Sequence, residues 1–154
     1  MIQKALFGAG CFWGVEEHFR KINGIKKTEV GYSGGNTNNP TYESVCYGNT
    51  DHVEVIQIEF DHNIISYEKL VEEFWKCHDP TTLDRQGSDI GRQYRSVLYY
   101  FNNYQKIIAE KSKEKFQSSF QNKIVTQILE ANIFYRAEEY HQKYIKKIRL
   151  NNQI

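Results

Sequence analysis

Cys11 is the residue most able to do chemistry. It follows Gly8-Ala9-Gly10 and opens a stretch with helical spacing. At a helix start the free N–H groups and the positive end of the dipole favour an anion. A thiol there is expected to titrate below its ordinary range and to act as a nucleophile. The bland alternative is a small buried hydrophobe, as most free cysteines are. Phe12 and Trp13 come next, either walling an apolar pocket beside the thiol or packing on a sheet. Glu54 is the second signal. In the alternating run Val53–Phe60 it shares a face with Ile56, Ile58 and Phe60. A carboxyl desolvated on such a face keeps its proton toward neutrality, as a general acid must. His52 shares that face as a possible base, though a structural histidine is the favoured reading. Tyr42 and Tyr94 stand at the ends of two long polar loops and can donate hydrogen bonds to an oxygen. Asp89 lies in the turn-like Ser88-Asp89-Ile90-Gly91, where turn chemistry alone explains an aspartate.

Thiol, acid and phenols suit one reaction type: a sulfur nucleophile attacks a centre bearing an oxygen that needs protons. Two other classes stay open on these residues. One is a peroxidase or acyl-transfer enzyme using Cys11 with His52. The other is an RNA-binding module, which would alternate aromatic and basic residues on its strands. Glu54 and Glu59 on the third strand speak against that module.

The elements that must position these groups read β-α-β-β-α-β with an extension. Lys4–Phe7, Ile25–Val30, Val53–Phe60, Arg95–Phe101 and Ile124–Leu129 read as strands. Helices are expected from Cys11 to about Arg20, from the Ser66 cap to about Cys77, from an Asn102 or Asn103 cap to about Phe120, and over Tyr135–Ile148. The segments Gly31 to about Asp51 and Asp79–Gln93 are expected to be long loops, and loops of this length are often functional.

Composition narrows the class. The 154 residues suggest one domain, 1–154, of α/β (α+β) type. The formal net charge is +1, so no global field asks for nucleic acid. The charge is uneven, with 10 basic and 14 acidic residues before position 102 and 10 basic and 5 acidic after it. A solvated helix face accounts for the basic half. No apolar run nears the ~20 residues of a membrane span, and no secretory h-region precedes Glu16 and Glu17. The three cysteines, Cys11, Cys46 and Cys77, include no Cys-x-x-Cys. That usage points to a reducing, cytoplasmic setting and to no metal site.

Gly10-Cys11-Phe12-Trp13-Gly14 resembles the signature of the peptide methionine sulfoxide reductase A family. Further segments resemble it in order: Gly31-Tyr32-Ser33-Gly34-Gly35, Asn39 to Cys46, His52-Val53-Glu54, His78 to Thr81, Asp89 to Ser96, and Ala137 to Tyr144. The resemblance implies a ferredoxin-like two-layer core with a C-terminal helical and strand extension. It implies reduction of methionine S-sulfoxide, free or in proteins, one enzyme serving each epimer. Cys11 matches the nucleophile, Glu54 the proton donor, and Tyr42 and Tyr94 the phenols on the sulfoxide oxygen. Phe12 and Trp13 match the pocket for the substrate methyl group, and Asp89 an acidic positioning residue. No metal or cofactor is implied, and the chain is expected to act as a monomer away from membranes and nucleic acid. Many relatives carry resolving cysteines near the C-terminus, whereas this sequence has none after Cys77. Cys46 and Cys77 are expected to be structural. Cys11 is then restored by an external thiol: thioredoxin, glutaredoxin, glutathione or a small dithiol.

Overall fold

A computed structural model describes residues 1–152. A mixed six-stranded sheet carries the chain, in the order β7-β6-β1-β3-β2-β8. Its strands are β1 (Ile2–Ala9), β2 (Ile25–Ser33), β3 (Val53–Asp61), β6 (Ser96–Tyr100), β7 (Gln127–Glu130) and β8 (Tyr135–Arg136). A small hairpin, β4 (Arg85–Gln86) and β5 (Asp89–Ile90), stands apart from it. The helices are α1 (Phe12–Arg20), α2 (Tyr42–Tyr47), α3 (Tyr67–Lys76), α4 (Asn103–Phe116) and α5 (Tyr144–Asn151). Every neighbouring pair in the sheet is antiparallel except β6 and β7.

The alternation read in β3 sets the layers. Ile56, Ile58 and Phe60 join Phe7 of β1, Val15 and Phe19 of α1, and Leu70, Val71 and Phe74 of α3 in the main core. The rings of Phe7, Phe19 and Phe74 meet at centroid distances of 5.6 and 5.0 Å. The opposite face holds a second cluster of Leu6, Val53, Val55, Val97 and Tyr99, covered by Ala131 and Phe134. Two helices start at the expected caps: Ser66 accepts from the Lys69 N–H, and Asn102 from the Gln105 N–H.

Several elements differ from the sequence expectation. β2 runs on to Ser33, and the segment after it holds α2, so Gly31 to Asp51 is not all loop. α4 ends at Phe116 and passes into a 3-10 turn, Gln117–Ser119, short of Phe120. The helix expected over Tyr135–Ile148 is broken. It begins as β8, continues as a 3-10 turn at Glu139–His141, and becomes helical only at Tyr144. Backbone pairing to β2 replaces the missing helical bonds. The Ala137 N–H donates to the Val30 carbonyl, and Gln142 brackets Val30, accepting its N–H and donating to its C=O. Gly31 lets this approach happen, since a Cβ there would collide with the Tyr135 carbonyl.

Lys143 anchors the same segment from a left-handed conformation, φ 55°. Its backbone N–H and its Nζ both reach the Glu16 carboxylate, at 2.7 and 3.1 Å. Thr28 donates to the same carboxylate at 2.7 Å, and Glu16 is only 1% exposed. Removing the cation leaves a buried carboxylate short of a partner. Because the Lys143 side chain is 37% exposed, the loss falls below that of a fully buried pair. Lys143→Met is expected to cost about 2–3 kcal/mol in urea unfolding and to speed amide exchange at Ala137 and Gln142 in particular.

Candidate active site

The site forms at one end of the sheet because the registers converge there. Ala9 closes β1 opposite Ser96, which opens β6. Glu54, near the start of β3, lies opposite Tyr32, near the end of β2, and Tyr32 lies opposite Tyr135 of β8. The turn from β1 into α1, the α2 segment, the hairpin and the 3-10 turn Arg92–Tyr94 all meet at this end.

Cys11 is the residue before the first turn of α1, and its side chain does not cap the helix. Glu54 does so from across the sheet, its Oε1 accepting the Phe12 N–H at 3.2 Å. Gly10 makes the entry possible with φ 97°, and a Cβ there would press on Gln86 at 2.7 Å. Gln86 in turn is bonded to both backbone groups of Asp79 and pairs with Asp89 across the hairpin. Thus one glycine contact seats the loop that carries Asp89 against the turn that carries the thiol.

The thiol and the acid titrate away from their ordinary ranges. Burial pushes the Cys11 thiol up to about 11, and the negative fields of Glu54 and Asp89 add to it. The N–H groups of Trp13 and Gly14 only partly offset this. The helix-start expectation of a low pKa is therefore corrected: Cys11 rests as a neutral thiol because desolvation outweighs the helix dipole. Glu54, 2% exposed, is pushed up to about 8, by burial first and then by Asp89, against the opposing Phe12 N–H. At neutral pH it is largely a carboxylic acid.

The phenols stand close by. Tyr42 is the first residue of α2, set there by a reciprocal cap between Thr41 and Ser44. Burial pushes its hydroxyl upward and the neighbouring Cys46 thiol adds to that, while burial raises the Cys46 thiol against the lowering influence of Tyr42. Tyr94 feels the charges of Glu54, Cys46, Asp89 and Cys11, and its hydroxyl is likewise pushed up, chiefly by burial. Arg95 holds the Tyr94 turn, donating to the Arg92 and Asp51 carbonyls. Asp89 is exposed at the hairpin.

Phe12 is buried with Val30, Tyr32, Val45 and Ala137, and Trp13 and Tyr42 pack against that cluster. Trp13 is half-buried, and its indole lies flat on Tyr144 at 3.9 Å and 15°. His52 is a structural residue. Its Nδ1 accepts the Gly35 N–H and its Nε2 bonds the Thr37 carbonyl, so both ring nitrogens are occupied. Cys77 caps α3 and donates to the Phe74 carbonyl at 3.3 Å; burial pushes it up to about 12. Cys46, by contrast, lies beside Tyr42 rather than in the main core.

Three groups at this site were not singled out from the sequence. Glu138 accepts from the Tyr32 hydroxyl and from the Tyr42 N–H, both at 2.9 Å. Burial raises its pKa, but those donors prevail and hold it below the usual carboxylate range. His141, with no exposed surface, accepts from the Trp13 indole. Tyr32 stands 5.8 Å from the Phe12 ring. The one available signal was the Ala137–Tyr144 segment itself, and reading it as a helix scattered its side chains. A concavity of about 880 Å³ between α4 and β7 contains none of these groups.

The family model described as peptide methionine sulfoxide reductase matches residues 3–153. The peptide methionine sulfoxide reductase MsrA of Methanothermobacter thermautotrophicus is 52% identical over 147 residues, covering 94% of this chain and 87% of that protein. Among solved structures, reduced Mxr1 from Saccharomyces cerevisiae superposes with a TM-score of 0.91 at 38% identity, over 95% of this chain and 85% of that one. The same yeast protein in complex with Trx2 matches with a TM-score of 0.67 at 30% identity, over 93% and 84% of the two chains. A match along nearly its whole length, with a half-buried thiol beside a protonated acid, shows that this chain belongs to the peptide methionine sulfoxide reductase family.

Proposed function

We propose that this reductase acts on the S epimer of methionine sulfoxide, free or within proteins, with Cys11 as nucleophile and Glu54 as proton donor. The observation that carries this reading is a buried carboxyl, protonated at neutral pH, bonded to the helix start that bears the thiol. The epimer rests on the family relationship. Tyr42 and Tyr94 hydrogen-bond the sulfoxide oxygen, and their raised pKa values keep them donors. Phe12 and Trp13 receive the methyl group, and Asp89 orients the substrate from the hairpin.

The oxygen takes the Glu54 proton as the Cys11 sulfur bonds the substrate sulfur, and the thiol proton passes to the carboxylate so formed. The S–O bond then breaks, and methionine leaves as the hydroxyl comes to rest on Cys11. The substrate sulfur gains two electrons and Cys11 loses two, becoming a sulfenic acid. An external thiol attacks that sulfur and water leaves; a second thiol then releases Cys11 as a disulfide forms. Thiols alone balance the cycle, so we propose no cofactor. Thioredoxin, glutaredoxin, glutathione or a small dithiol serves as reductant, and the complex of yeast Mxr1 with Trx2 supports the first. Three free cysteines suit a cytoplasmic, reducing setting, and among the described residues no helix is long and apolar enough to cross a membrane. We read residues 1–154 as one domain with a ferredoxin-like core, supported by the β6-β1-β3-β2 order within the sheet.

Glu54→Gln keeps the shape but holds no transferable proton. Its kcat is expected to fall about 10²–10³-fold, with a much smaller change in KM. The pH profile gives the sign. If Glu54 must be protonated, wild-type kcat/KM falls above pH 8 as that group ionises; if only thiolate supply mattered, the rate would climb toward pH 11. A climbing profile would remove Glu54 from the proposed role.

The same group carries a stability prediction. An unfolded glutamate ionises above about pH 4.3, whereas the folded one holds its proton until about 8. Across that window the folded state binds more protons, so wild-type stability declines as pH rises. The Tm of Glu54→Gln relative to wild type is expected to rise between pH 5 and pH 8.

Intact mass after a single turnover without reductant reads the cycle directly. A gain of one oxygen, absent in Cys11→Ser, is expected. A loss of two hydrogens would instead mean an internal disulfide, with Cys46 beside Tyr42 the first partner to test.

A further inference from the structure

We propose that His141 is a positioning residue for the reaction: its Nδ1 holds the Trp13 indole in the orientation that completes the substrate pocket. The inference rests on the reading of Trp13 as a pocket wall.

The indole nitrogen of Trp13 lies 2.9 Å from His141 Nδ1. An indole N–H only donates, so Nδ1 must be the unprotonated, accepting nitrogen. The ring is then neutral with its proton on Nε2. That proton has no acceptor among the described residues, where Nε2 is buried and without a hydrogen-bond partner. The rings of Phe12, Tyr42 and Tyr140 surround the imidazole at centroid distances of 5.2, 4.6 and 4.0 Å. A buried donor left unpaired is costly and calls for an explanation. Packing does not supply one, because a phenylalanine at this position would fill much the same space with no orphan donor. The bond to Trp13 does. His141 grips the indole by its edge while Tyr144 covers a face. Trp13 is two residues from the nucleophile, and its backbone N–H acts on the Cys11 sulfur. A tilt of the indole therefore alters the pocket next to the reacting atom.

His141 is itself held in place from elsewhere. The 3-10 turn that carries it is bracketed by the Glu138 contacts to Tyr32 and Tyr42 and by the Gln142 contacts to Val30. The imidazole is a fixed post, not a swinging arm.

Two substitutions separate positioning from packing. His141→Phe keeps a ring and removes the acceptor; His141→Asn returns an acceptor oxygen near the Nδ1 position. The phenylalanine variant is expected to raise KM for methionine sulfoxide about tenfold while kcat at saturation stays within about twofold, and the asparagine variant to recover most of the KM. In ¹⁵N-labelled protein the chain's two tryptophans give two indole signals. His141→Phe should move that of Trp13 and spare that of Trp75, whose N–H is bonded to Ser112 at 2.8 Å. In the wild type a ¹⁵N–¹⁵N coupling across the Trp13–His141 bond should be measurable, so the geometry is tested even if a variant fails to fold. Absence of that coupling, an unchanged KM in folded His141→Phe, or an asparagine variant as impaired as the phenylalanine one would each overturn the proposal. An inactive wild type would overturn the assigned reaction along with it, whereas an active wild type indifferent to His141→Phe would overturn the positioning role alone.

Discussion

The hydrogen bond from the Phe12 N–H to Glu54 is the constraint on which the site depends. It closes the start of α1, which Cys11 leaves uncapped, with a carboxyl from the neighbouring strand. One contact thereby fixes three things: where the helix begins, where the thiol stands, and where an acid stands relative to it. The carboxyl is also enclosed by the core it serves. Ile56, Ile58 and Phe60 continue its face of β3 into the main cluster. Desolvation and the helix N–H pull its proton affinity in opposite directions, and desolvation wins.

Around that contact the protein builds a wall from a segment with almost no regular structure. Beyond one 3-10 turn and the Ala137–Val30 backbone bond, residues 137–143 are held through side chains: Gln142 on the edge of β2, Glu138 on two tyrosines, and the buried Glu16 on Lys143. Glu16 belongs to α1 as Trp13 does, and Cys11 stands at the start of that helix. The helix that presents the thiol thus also anchors the strap lying over it, and the two cannot shift independently. Gly10 adds the complementary restraint from the other side, where its missing Cβ admits Gln86 and the hairpin.

Much of this was legible because the relevant signals are local. The two-residue period of β3 pointed to Glu54 as a carboxyl on an apolar face, and the Ser66 and Asn102 caps marked helix starts. The glycines before Cys11 marked the break between β1 and α1. What escaped depends on partners far along the chain. Glu138, His141 and Gln142 act on residues about a hundred positions away, and their spacing looks helical only because no pattern was available to say otherwise. The direction of the Cys11 shift escaped for a similar reason. The helix dipole can be read from a helix start, but the degree of desolvation is set by everything that packs over the thiol.

A thiol held in its neutral form has a bearing on selectivity over time. Thiolates are indiscriminate: they are the form that alkylating agents, stray peroxides and foreign disulfides consume. With its pKa near 11, Cys11 presents little of that form between encounters. On the proposed mechanism its reactivity is conditional, arising when a substrate brings an oxygen that accepts the neighbouring acid's proton and leaves a carboxylate able to take the thiol's. In that mechanism the same burial that raises the acid's pKa also shields the thiol from oxidants other than its substrate.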